Sequence, residues 1–249
     1  MDFRRIEEKK KLLDSKRPLP EALVKNLKEH LLVEWTYHSN AIEGNTLTLS
    51  ETKVVLEGIT VGGKSLREHF EVINHAEAIV LIEELISKDT RISEFVIKQI
   101  HQLILKNIRE REAGAYRTVN VFIQGSPHIP PMNSLVPGLM RDLLEWLDNE
   151  GKTLHPVERA ATFHHRFVHI HPFIDGNGRT ARLLMNLILM QDHYPPAIIR
   201  QEDRSNYYNA LRGADETGNV EPLVLLVSEA VERMLDSYLW ALGLSDKRS

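Results

Sequence analysis

Apolar residues recur at helical spacing along almost the whole chain. Leu23, Leu27, Leu31 and Trp35 fall four apart behind Pro20, a residue tolerated at the start of a helix, and predict a helix running into Tyr37. Thr48 with Glu51 and Ser65 with Glu68 have the spacing of capping boxes, each ahead of an apolar-periodic run, while Gly58, Gly62 and Gly63 break the chain between them. Ser93 can open a helix through Ile97, Ile100, Ile104 and Ile108; 133–147 and 156–168 read the same way, and a last helix spans about 222–242 on a stripe of Leu226, Ala230 and Met234. One stretch differs. GAYRTVNVFIQGSPHIPP, residues 114–131, is β-branched and aromatic and turns at Gly125-Ser126-Pro127, which predicts a short β-hairpin flap on an otherwise all-α body. With no internal repeat, low-complexity tract or Ser/Gly linker, the expected organisation is a helical arm over 1–35 followed by one domain over 36–249.

Composition narrows the chemistry. The 249 residues are 42% hydrophobic and 27% charged, an ordinary globular balance able to bury a core without covalent staples. Lys and Arg number 31 against 35 Asp and Glu, a net charge of -4, so the basic excess of a duplex nucleic-acid binder is missing. The chain has no cysteine, which removes disulfides, thiol catalysis and thiolate metal sites together. Its longest tempting apolar run, 183–190, is interrupted by Asn186, and the charged N-terminus lacks a signal-peptide core; no membrane span is expected, and a cytoplasmic or equivalent location is.

The informative segment is 164–190, HHRFVHIHPFIDGNGRTARLLMNLILM. Gly176-Asn177-Gly178 leads straight into a helix with Leu184, Leu187 and Ile188 on its buried stripe. Paired glycines let backbone N–H groups converge, and the helix N-terminus adds partial positive charge, so the loop is suited to an anion and to phosphate above all. Arg179 and Arg182 share one helical face in the first turn and a half, beside the same anion. Asp175 sets a hard carboxylate where a phosphate-bound Mg²⁺ would sit, and His171 can accept a proton near neutral pH.

His171-Pro172-Phe173-Ile174-Asp175-Gly176-Asn177-Gly178-Arg179-Thr180-Ala181-Arg182 resembles the signature of Fic-domain proteins, HPFx(D/E)GNGRxxR, at every fixed position. The resemblance covers roughly 39–222 and is nearest to the group containing the animal Fic enzyme that modifies an Hsp70 chaperone in the secretory pathway. That relative's membrane anchor and helical repeats have no counterpart here, so its compartment and target are not carried over. The resemblance implies a Fic-fold helical domain and a protein adenylyltransferase, moving AMP from ATP to a Ser, Thr or Tyr hydroxyl of a target protein. It implies His171 as general base, Asp175 as holder of Mg²⁺, and Gly176, Asn177 and Gly178 as anion cradle, with Asn177 on the α-phosphate. Arg179 and Arg182 would then serve the β- and γ-phosphates. By the same resemblance the flap around 118–123 would hold the target as an added strand, Ile123 and Gln124 would border the nucleotide, and Tyr207 and Tyr208 would line the adenine pocket. Asp215 stands where some relatives carry an Asn near the ribose or adenine.

Ser39-Asn40-Ala41-Ile42-Glu43-Gly44 resembles the family's inhibitory motif, (S/T)xxxE(G/N), lying N-terminal to the site. Ser39 and Glu43 share a helical face, so the hydroxyl can reach the carboxylate. The resemblance implies that Glu43 pairs with Arg182 in the γ-phosphate's place; in some relatives the same Glu aligns a water that removes AMP again. Family members often form homodimers that bear on this helix. Two other readings stand beside this one. His164, His165, His169 and His171 cluster, and His165 with His169, one turn apart, could share a metal with Asp175 in a metal-dependent phosphohydrolase. A permanently closed Glu43 gate would instead make the chain a non-catalytic nucleotide-binding regulatory module.

Overall fold

A computed structural model describes residues 1–244; 245–249, the end of the expected 36–249 domain, lie outside the described residues. The described residues form ten α-helices: α1 (Arg4–Asp14), α2 (Glu21–Ile42), α3 (Leu49–Leu56), α4 (Leu66–Ser87), α5 (Glu94–Leu105), α6 (Val136–Asp148), α7 (Pro156–Ile170), α8 (Asn177–Gln191), α9 (Arg204–Thr217) and α10 (Glu221–Ala241). Helix α8 is buried on every side along most of its length. Leu183, Leu184, Met185, Leu187 and Leu189 have no exposed surface, the mark of a helix at the centre of a core. Asn186 is equally buried but satisfied, donating to the Ala197 carbonyl at 3.2 Å and accepting the Ala197 N–H at 2.7 Å. Helix α7 runs along α8, and the small side chains of Ala160, Ala161 and Ala181 are fully buried near that seam. Helices α4 and α5 close another side of α8, α10 covers α7, and α1 lies along α10 through Ile6 and Leu13, with Lys9 bridging Glu232 and Asp236 at 2.7 Å each.

Both expected capping boxes form, Thr48 with Glu51 and Ser65 with Glu68, each satisfying two otherwise orphaned donors. Ser93 caps α5, which stops at Leu105, short of Ile108, as Asn107 takes a left-handed φ of 61°. Helix α2 lays Leu27, Leu31 and Trp35 against the body and delivers its C-terminal turn to the start of α8.

The flap is not a hairpin. Residues 118–131 contain no strand, and the backbone bond that closes the turn is Ser126 N–H to the Ile123 carbonyl at 3.1 Å. Pro127, Pro130 and Pro131 leave the return arm short of the donors a ladder needs, which overrides the strand propensity of Val119, Val121 and Phe122. Side chains hold the segment instead. Asn133 donates to the Thr118 carbonyl at 2.9 Å and its backbone N–H to Asn120 Oδ1 at 2.8 Å, while Arg117 Nη1 reaches the Val119 carbonyl at 3.1 Å and Nη2 the Pro131 carbonyl.

Several histidines are buried in this core. Burial, with Arg182 and Arg179 nearby, pushes His75 well down; burial pushes His164 down likewise, and takes His101 and His171 to about 4 from an ordinary 6.5. All four are neutral in the fold and protonate more readily once it is lost. Their contribution is therefore complete above pH 6.5 and is lost as pH falls toward 4. The melting temperature is expected to be flat above that window and to fall by about 10 °C within it. Calorimetry at fixed ionic strength across the window checks this; a flat acid limb would contradict it.

Candidate active site

Helix α7 ends in His171, which takes a left-handed φ of 50° while its N–H still bonds the Phe167 carbonyl. A non-glycine residue held in that region has to be fixed by its surroundings. Arg117 does this: Nε donates to the His171 carbonyl at 2.8 Å, and the Arg117 N–H to the Pro172 carbonyl at 2.9 Å. The guanidinium that pins the flap thus also fixes the site loop. The loop then turns inward. Asn177 grips it by both ends of its amide, donating to the Phe173 carbonyl and accepting the Phe173 N–H at 2.9 Å each. Phe173 stacks on His101 at 3.5 Å between centroids. His101 accepts the Gly114 N–H on Nδ1, so Nε2 donates to the Asp175 carbonyl, both at 2.9 Å. Gly176 opens α8 with a φ of +77°, and a Cβ there would press on Ile104 at 3.1 Å.

Asp175 is the outer acid. It accepts Gly176 N–H at 2.6 Å and Arg67 Nη2 at 2.7 Å, with Arg179 Nη2 at 3.5 Å and Arg109 Nε at 3.6 Å. Burial alone would raise its carboxyl, but Arg179 and Arg67 outweigh that and hold it below the usual carboxylate range. Arg179 is 3% exposed and also faces Glu71 at 3.4 Å, which in turn holds Arg67 at 3.0 Å. A single carboxylate at the lip of an anion cradle, beside a half-exposed arginine that can turn away, suits Mg²⁺ that completes its shell with phosphate oxygens and water.

Arg182, one turn further along α8, is also 3% exposed. Its Nη2 meets Glu43 Oε1 at 2.8 Å and the Ser39 carbonyl at 2.7 Å, and its Nε donates to the Ser39 hydroxyl at 3.0 Å. Ser39 and Glu43 therefore converge on Arg182 rather than on each other. Burial works against the guanidinium's charge, and Glu43 more than offsets it, so the group is held firmly cationic. The same carboxylate lies so close over Gly178 that a Cβ there would overlap Oε1. Glu43 thus occupies the mouth of the glycine cradle as an anion would.

The remaining expected residues are placed less uniformly. Tyr207 is 1% exposed, a core aromatic whose hydroxyl lies 3.0 Å from His164 Nε2 and 3.4 Å from Arg182 Nη1. Tyr208 keeps part of its surface, with its hydroxyl 3.4 Å from the Ile42 carbonyl. Ile123 is half-buried and Gln124 exposed on the flap. His165 and His169 do converge on a carboxylate, but it is Asp215, at 3.0 and 2.7 Å, and not Asp175, whose oxygens face arginines and Gly176. Arg67, Glu71, His101 and Arg117 escaped sequence reasoning, since their partners lie far away in the chain; only their position in helix patterns or beside the flap marks them.

Residues 91–189 match the Fic/DOC family. The chain is 40% identical over 97% of its length to the protein adenylyltransferase Fic of Drosophila melanogaster, of which it covers 49%, so it spans about half the length of the curated relatives it matches. Among solved structures, residues 134–508 of Fic-1 from C. elegans superpose with a TM-score of 0.86 at 36% identity, over 96% of this chain and 72% of that one. A Fic-domain signalling protein from Bacteroides thetaiotaomicron superposes with a TM-score of 0.88 at 30% identity, over 98% and 99% of the two chains. A matched family segment, and a fold and sequence shared over nearly the full length of this chain, place it in the Fic family.

Proposed function

We propose that the chain is an autoinhibited protein adenylyltransferase that uses ATP to place AMP on a protein hydroxyl. The observation that carries this reading is the Glu43 carboxylate lying over Gly178 and on Arg182, an internal anion seated in the cradle of a nucleotide-transfer signature. ATP would bring its phosphates along Gly176–Gly178 to Arg179 and Arg182, and its γ-phosphate would replace Glu43. Asn177's amide is committed to Phe173, so its part in holding phosphate falls to the backbone N–H at the start of α8. Mg²⁺, held by Asp175 after Arg67 turns away, would supply charge neutralisation across the phosphates.

The target hydroxyl oxygen would attack the α-phosphorus, the bond to the β-phosphate bridging oxygen would break, and pyrophosphate would leave. His171 would take the hydroxyl proton. Its depressed pKa keeps it neutral and able to accept, while the fixed loop sets its direction. Arg179 and Arg182 would stabilise charge gathering on the leaving group. The flap offers the target an edge: Val119, Phe122, Ile129 and Met132 are all exposed, and the backbone of 118–123 apart from the Thr118, Val119 and Ile123 carbonyls can accept an added strand. Tyr208, Ile123 and Gln124 remain the accessible groups for the base and sugar.

With ATP labelled at the α-phosphate, Glu43→Gly is expected to raise transfer to protein by about 10–100-fold over the unaltered chain, and adding His171→Ala to abolish it. Equal labelling in both Glu43 forms would refute the brake; label arriving only from the γ-phosphate would refute nucleotidyl transfer. In the Glu43→Gly background, Arg67→Ala is expected to lower the Mg²⁺ concentration giving half-maximal labelling several-fold, because it removes the cation competing for Asp175. An unchanged Mg²⁺ requirement would show that Arg67 does not compete there.

A further inference from the structure

Behind His171 lies a second cluster that the transfer chemistry does not use. His165 and His169 stand one turn apart on α7, Asp215 comes from α9, and His128 from the stretch that follows the flap turn. One Asp215 oxygen collects both α7 imidazoles, His165 Nε2 at 3.0 Å and His169 Nδ1 at 2.7 Å. His128 Nε2 donates to the His169 carbonyl at 2.8 Å, which fixes its tautomer and leaves Nδ1 with a free lone pair. Its ring lies 4.2 Å from that of His169. One ligating atom each from His128, His169 and Asp215 falls within 4.8 Å of the others.

The geometry points to a divalent transition-metal site, of the kind that takes Zn²⁺, with His128, His169 and Asp215 as ligands and His165 steadying the carboxylate. Two imidazoles and a carboxylate are borderline donors that favour Zn²⁺, Ni²⁺ or Cu²⁺ over Mg²⁺. A tetrahedral zinc site needs ligand atoms about 3.4 Å apart. The group must therefore close by up to about 1.4 Å, and the 42% exposed His169 side chain has room to turn. Binding at His169 Nδ1 would shift that ring's proton to Nε2, and the cation would take its place against Asp215. His165 would keep its hydrogen bond to Asp215, orienting it from behind. Three protein ligands leave a fourth position for water. Because the ligands come from the flap arm, α7 and α9, a bound ion would staple the flap to the helix that ends in His171.

This site is independent of nucleotide transfer, and its test needs no ATP. The chelator-treated full chain is titrated with Co²⁺ and then Zn²⁺, following visible absorption and bound metal per chain. One Co²⁺ per chain with the visible spectrum of a low-coordinate nitrogen–oxygen site, displaced by Zn²⁺, is expected. His128→Ala, His169→Ala and Asp215→Asn should each weaken binding at least 100-fold and His165→Ala about 10-fold, whereas His30→Ala, at an exposed histidine elsewhere, should leave it unchanged. Asp215→Asn is nearly isosteric, and circular dichroism of the metal-free variants separates lost binding from lost folding. Zn²⁺ should also raise the melting temperature of the unaltered chain and not of Asp215→Asn. No bound Co²⁺ or Zn²⁺ at about 100 μM, or binding undiminished in the three ligand variants, would overturn the proposal.

Discussion

A guanidinium taken out of water must be met by an anion, and Arg182 is almost wholly out of water. Around that requirement the end of α2, the start of α8 and one face of α9 are assembled. Ser39 supplies a carbonyl and a hydroxyl, Tyr207 a hydroxyl, and Glu43 the one full negative charge. Pairing of this kind adds little to stability compared with an apolar replacement, but removing one partner is costly. In this structure that partner is Glu43.

A second constraint runs through Arg117. Its guanidinium and backbone together bind carbonyls at His171, Pro172, Val119 and Pro131, so the flap and the site loop cannot shift independently. The flap lacks a strand partner, and this one buried side chain, with Asn133, replaces the ladder. The arrangement ties the Thr118 and Val119 carbonyls inward and couples the flap to the loop that carries His171.

Much of this was legible in the sequence because it is local. Capping boxes join residues three apart, and the glycine cradle and both arginines lie within about two helical turns. The Glu43–Arg182 pairing was legible only through a resemblance, since nothing in the spacing of 43 and 182 predicts contact. Where local reasoning failed, tertiary demands had overruled it. Strand propensity at Val119–Phe122 gave way to prolines that cannot donate, Asn177's amide went to bracing a backbone turn, and His165 with His169 found Asp215 because α9 passes behind α7. Arg67, Glu71, His101 and Arg117 carry no local mark at all; each is defined by a partner dozens of residues distant.

The closeness of Glu43 to Gly178 has a consequence for how such a protein can vary. The Glu43 carboxylate rests directly on Gly178, and the floor beneath it is a hydrogen atom where any other residue would place a carbon. A substitution at 178 would push the Glu43 carboxylate aside and, under the proposed function, crowd the phosphates in the same stroke. Under the proposed function, release of the brake by mutation would therefore come from the side of α2, at Glu43 and the turn that presents it, and not from the glycine floor beneath.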